Sequence, residues 1–367
     1  MNQSNKLVVA LIAICAAIWI IAAINPMRKC RSEFGRKIFS ISRAIITTVF
    51  AHGAFGFLLA FPIRELLLRF SGIRRGVWSF ALPVAIILAV SGCFEIIESI
   101  VAEIVAPGKG VQWLGGQGDE WDAQNDMVSA LVGSLLMVGV VALLQWKKAP
   151  PHLSPLPQGE ADAKRSARHF LPIAVACYVG FWIVLAIHPL DRSDWLLENL
   201  LIFISVTVLA FTYRKFRFSN FSYSLILIFL AFHTIGAHYT YAKVPAGFWL
   251  QNWLHLNRNH YDRVIHFSFG FLLLYPMREL LERSARAQPQ WALWLAVAAL
   301  AALSSFFEII EAVIAQIVAP DLGAAYLGTQ GDIWDAQKDM AAAFVGAVMT
   351  ALALVLLHRT SAKRRVG

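Results

Sequence analysis

The chain has 367 residues, 58% of them hydrophobic and 15% charged, with a net charge of +9 and a mean hydropathy of +0.60. Soluble domains carry roughly 25% charged residues, so a conventional soluble enzyme and a disordered chain are both excluded. Lys and Arg fall in short runs between apolar blocks, where they orient a membrane protein rather than build a nucleic-acid face.

Ten apolar blocks approach the roughly 20 residues that a helix needs to cross a bilayer. They lie at about 7–25, 40–61, 78–105, 123–146, 170–188, 196–213, 221–242, 263–282, 291–318 and 336–357. The first is longer than a signal-peptide core and has no clear cleavage site, so it reads as a retained span. None alternates with the period of a barrel strand. The expected fold is therefore all-α, a polytopic transmembrane helical bundle with the lipid bilayer as its partner. Placing both termini in the cytoplasm collects Arg64, Arg69, Arg74, Arg75, Lys147, Lys148, Arg214, Lys215 and the basic C-terminal tail on the inner side. The segment 26–39, with Arg28, Lys29, Arg31, Arg36 and Lys37, then reads as a basic outer loop against that rule. Residues 147–169, rich in proline and charge, read as a cytoplasmic linker. The cysteines, Cys15, Cys30, Cys93 and Cys177, show no metal or redox spacing and are expected to be free, buried thiols.

The two sides of that linker are alike. FEIIESIVAEIVAP at 94–107 returns as FEIIEAVIAQIVAP at 307–320, and 25 of 40 positions are identical between 94–133 and 307–346. HGAFGFLLAFPIREL at 52–66 matches HFSFGFLLLYPMREL at 266–280. Six helices separate equivalent spans, and an even number implies a parallel repeat. The expected domains are a truncated four-helix copy over 1–146 and a complete six-helix copy over 170–367.

In the second copy, polar residues gather at one depth near the outer boundary. His233 and His238 end one helix. Asp262 and His266, four apart and so on one face, open the next. Glu308 and Glu311 lie in the outer half of 291–318, and Asp332, Asp335 and Asp339 surround the start of the last helix. Charges inside a membrane are costly, so these groups should face inward and meet partners. Asp262, His266, Glu308, Glu311, Asp335 and Asp339 are candidate catalytic groups. Imidazole and carboxylate together also suit a divalent metal, for which His233, His238, Asp262, His266, Glu308 and Asp332 are candidate ligands. Structural roles compete with both. Asp332 suits an N-cap and Asp335 a first helical turn, the two glutamates suit interhelical pairing, and Arg278 with Glu279 suits a cytoplasmic ion pair. Trp249, Trp253 and Tyr261 read as interfacial anchors. The first copy retains His52, Glu95, Glu98, Asp119, Asp122 and Asp126 but has Thr48 in place of Asp262. The second copy is therefore expected to hold the working site and the first to be a degenerate or supporting version.

HTIGAHYTY (233–241), NHYDRVIHFSFGFLLLYPMRE (259–279), FEIIE (307–311) and GTQGDIWDAQKDM (328–340) resemble the YjdF-type inner-membrane proteins, a domain of unknown function. The resemblance covers about 170–357, where six helices are the family's usual complement, and residues 1–146 look like a second, truncated member. It implies a bacterial inner-membrane location and supplies no reaction. The D-x-x-x-H pair before a helix is also similar to VanZ-like proteins, linked to glycopeptide tolerance. Three functions stay open: a metal-assisted membrane enzyme acting on a lipid-linked or envelope substrate, an ion-coupled transporter, and a non-catalytic envelope factor.

Overall fold

A computed structural model of the chain describes residues 33–105, 121–145, 161–318 and 332–366. The expected span at 7–25 and Asp119 lie outside the described residues. Among those described, the regular structure is helical: α1 (Glu33–Phe70), α2 (Val77–Val105), α3 (Asp122–Gln145), α4 (Ala161–Ala186), α5 (Arg192–Thr212), α6 (Asn220–Tyr239), α7 (Pro245–Leu254), α8 (Tyr261–Arg283), α9 (Pro289–Val318) and α10 (Asp335–Val366). Nine of these are long and apolar enough to cross a membrane.

Three boundaries differ from expectation. Residues 33–39 are not loop but the first turns of α1, because no proline or turn cluster separates them from the apolar stretch that begins at position 40. Among the described residues the apolar span of that helix covers Thr48–Phe70, so it ends later than the expected 61. Arg64 can lie within it because it is buried, with its guanidinium 2.9 Å from Gln145 Oε1 and 4.6 Å from the centre of the Phe80 ring. The expected linker is helical from Ala161, where Ala, Lys and Arg favour helix once the prolines end. Between α6 and α8 the chain forms the short helix α7, opened by Pro245, whose fixed φ suits a first helical position.

The chain divides into two compact units: Met1–Pro151 with Ser305–Ile314, and His152–Ser304 with Ala315–Gly367. In the first, α1 packs on both α2 and α3. A Cβ on Gly56 would strike the Ala130 carbonyl of α3, so these helices touch backbone to backbone. In the second, α6 packs on α4, α5 and α8, and α8 packs on α10. There a Cβ on Gly270 would strike the Ala343 carbonyl. Gly56 and Gly270 occupy corresponding positions of the two similar stretches, as do Ala130 and Ala343.

The core of the second unit joins Tyr178, Ile202, Phe229, Leu230, Val244, Tyr261 and Ile265. Tyr261, expected at the interface, is buried there and donates its hydroxyl to the Phe232 carbonyl at 2.9 Å. Trp249 and Trp253 are exposed and stack at 5.9 Å. Cys177 is exposed rather than buried, and Cys93 is half-buried. Large apolar side chains such as Ile104, Leu143 and Phe211 also point outward, as hydrocarbon surroundings permit. At the other end of α8, Arg278 pairs with Glu282 at 2.7 Å. Glu279 accepts from the Ser219 backbone N–H and hydroxyl, both at 2.8 Å, from Ser222 Oγ, and from Arg283 at 2.5 Å. It thereby ties the start of α6 to the end of α8.

Candidate functional site

The start of α8 is positioned by Asn259. Its Oδ1 accepts from Tyr261 N, and its Nδ2 donates to the Val244 carbonyl, both at 3.0 Å. One helical turn then separates Asp262 from His266, and His266 Nε2 lies 3.7 Å from Asp262 Oδ1. Asp339 enters from the second turn of α10. Ligand atoms of Asp262, His266 and Asp339 all lie within 4.8 Å of one another. Asp339 is 2% exposed and His266 8%, while the Asp262 side chain is 27% exposed, so the trio is buried at two of its members and open at Asp262.

Two arginines border it. Arg263 lies 2.7 Å from Asp332 Oδ2, 2.8 Å from Asp335 Oδ1 and 3.7 Å from Asp339 Oδ1. Arg258 pairs with Asp335 and stands 3.9 Å from Asp332. Lys338 approaches Asp332 at 3.0 and 3.1 Å, and Asp332 Oδ1 accepts from the Trp334 backbone N–H at 3.1 Å. Burial pushes the Asp332 carboxyl up, but its hydrogen bonds to Arg263, Lys338 and the Trp334 amide outweigh that and hold it down at about 2. Burial lowers His260 below its ordinary value, and the positive charges of Arg263 and Arg258 lower it further.

The other expected residues lie elsewhere. His233 is buried on α6, where Nε2 donates to the Glu198 carbonyl at 2.9 Å and Nδ1 accepts from the Tyr241 hydroxyl. Both ring nitrogens are thus engaged. His238 donates Nδ1 to the Leu185 carbonyl at 2.7 Å. Glu308 and Glu311 fall in the Ser305–Ile314 stretch that groups with the first unit. Asp332 and Asp335 meet arginines instead of joining the trio. Arg258 and Arg263 were missed as site residues in reading the sequence. The signal was available, because an arginine beside an apolar helix start invites the same question as a carboxylate there.

The first unit assembles a trio of its own from three helices: His52 on α1, Glu95 on α2 and Asp126 on α3, with ligand atoms again within 4.8 Å of one another. His52 Nε2 lies 3.6 Å from Asp126 Oδ2, and its Nδ1 lies 3.3 Å from Ser91 Oγ. Glu95 and Asp126 are each 3% exposed.

The family described as "Predicted membrane protein (DUF2238)" matches residues 48–147 and 170–360. Inner membrane protein YjdF of Escherichia coli (strain K12) is 38% identical over 178 residues, which cover 47% of this chain and 83% of that protein. No solved structure matches.

Proposed function

The chain belongs to the DUF2238 family of membrane proteins, and from that premise we propose that it is a multi-pass protein of the bacterial inner membrane whose second unit acts on an anionic, lipid-linked or envelope substrate. The observation that carries this reading is the largely buried Asp262–His266–Asp339 trio, open at Asp262, beside Arg258 and Arg263. An imidazole between two carboxylates is equipped to take and return a proton. Two guanidinium groups are equipped to hold a phosphate or carboxylate through paired hydrogen bonds. In this reading a substrate anion displaces Asp332 and Asp335 from the arginines, and His266 takes a proton from the bound group or returns one to it. The starts of α8 and α10 meet the outer membrane boundary, where the head group of a lipid-linked substrate would lie.

One observation favours a second, non-catalytic reading. Arg258 and Arg263 are both already paired with Asp332 or Asp335, which is what a clasp between the starts of α8 and α10 requires. Mass spectrometry of envelope lipid extracts separates the two. Cells lacking the protein are compared with cells restored by the wild type, His266→Ala or Asp339→Asn at matched membrane abundance. A species that accumulates without the protein, clears with the wild type and persists with both variants supports the enzyme. Restoration by both variants overturns it and leaves the clasp.

A further inference from the structure

We propose that the first unit holds a divalent cation of its own, bound by His52, Glu95 and Asp126, independent of whatever the second unit does. Their ligand atoms lie within 4.8 Å of one another, a span that one ion with bonds of about 2.0–2.2 Å closes with small side-chain adjustments. Because each ligand comes from a different helix, the ion would tie α1, α2 and α3 together.

Glu95 points to the ligand most directly. It is 3% exposed, and its Oε1 has no hydrogen-bond partner among the described residues. A buried carboxylate in that position needs a cation or a proton. His52 can serve the former. Its Nδ1 lies 3.3 Å from Ser91 Oγ and its Nε2 3.6 Å from Asp126 Oδ2, so the tautomer with the proton on Nδ1 presents the Nε2 lone pair to the cluster. A second group that fixes the imidazole in this way is the usual companion of a metal-binding histidine.

The comparison with the second trio separates the two sites chemically. There Arg263 stands 3.7 Å from Asp339, supplying positive charge that weakens any hold on a cation. Aligned through His52 and His266, the positions of Arg258 and Arg263 are Ala44 and Val49 in the first unit, and that of Asp262 is Thr48. The first trio thus lacks both arginines and takes its second carboxylate from α2 instead. Two carboxylates and a divalent ion sum to zero charge, the cheapest state for a buried site. One nitrogen and two oxygen donors suit a first-row ion such as Zn²⁺ or Mn²⁺.

The test is metal content of the full-length, detergent-purified protein, stripped with chelator, reloaded with ZnCl2 or MnCl2 and desalted. The expected result is about one ion per chain in the wild type, His266→Ala and Asp339→Asn, and a loss of at least tenfold in Glu95→Gln and His52→Gln. The thermal unfolding midpoint should rise on reloading in the wild type and in His266→Ala, and not in Glu95→Gln. If Glu95→Gln does not accumulate, His52→Gln, which keeps both carboxylates, decides by the same two readings. No retained ion in the wild type with either metal overturns the site. So does an ion that survives in Glu95→Gln and His52→Gln but is lost in His266→Ala.

Discussion

Two stretches of nearly the same sequence, 52–66 and 266–280, meet different neighbours in the two units. Arg64 and Arg278 correspond. Arg64 is 1% exposed and reaches across to Gln145, whereas the Arg278 side chain is 28% exposed and pairs with Glu282 one turn along its own helix. Glu65 bonds Arg64 at 3.1 Å, while its counterpart Glu279 fastens the start of α6. The trios differ in the same way. One draws on three helices, and the other draws on two with an arginine beside it. The same motif thus takes its energetics from whatever packs against it, and charge is the quantity that differs most.

The largest expected effect comes from Arg263, whose aligned position in the first unit is Val49. Arg263→Gln deprives Asp332, Asp335 and Asp339 of one partner at once, and breaking such a half-buried network costs about 3–5 kcal/mol. The unfolding midpoint of the purified protein should fall by several degrees, and Gln at Val49 in the first unit should not reproduce that loss. If the two variants melt alike, the charge contrast is wrong. Arg64→Gln comes next, at about 2–3 kcal/mol, because it empties a buried position that carries both a cation–π contact and a hydrogen bond.

Gly56→Ala and Gly270→Ala should each cost about 1–3 kcal/mol, since a backbone carbonyl must move to admit the methyl group. Similar losses of folded protein in size-exclusion profiles are expected, because this is the contact in which the units agree. A large difference between the two would break the correspondence.

In the second unit, a pH response is expected from Asp332 and His260. Asp332 is held down at about 2, so its contribution is complete above the ordinary value of 3.8 and disappears as pH falls toward 2. His260 is lowered from 6.5, so its neutral form favours the fold above that value, and stability declines as pH drops below it. The corresponding first-unit residue is Ile46. Melting curves from pH 8 to 5 should show a shallow acid loss that His260→Gln flattens and Asp332→Asn leaves in place. An unchanged slope in His260→Gln would remove histidine from the account. The smallest effect belongs to Arg278→Gln. A pair within one helix is worth about 0.3–0.5 kcal/mol, so its midpoint should move by about a degree or less, against the much larger shift of Arg64→Gln.

Much of this architecture was legible in the chain itself. Long apolar blocks have one solution in a bilayer, because every backbone amide must be satisfied within its own helix. The four-residue spacing of Asp262 and His266 put them on one face, and the cost of buried charge predicted that Asp339 would have company. His233 shows the limit. Its sequence context reads as well for a ligand as that of His266, yet a carbonyl from α5 and the hydroxyl of Tyr241 engage both its nitrogens. Arg258 lies outside any helix, so no periodicity announces that it meets Asp335, 77 residues away.

Sequence alone therefore determined the helical membrane architecture and the positions of most chemistry-bearing residues, since hydropathy and helical period act over a few turns. Tertiary structure decided which of those residues meet. It joined Glu95 to His52 and Asp126 across three helices, and it set two arginines against the second cluster. Hydrogen bonds and ion pairs depend on distances of a few ångströms between elements remote in the chain, and those distances exist only once the helices have packed.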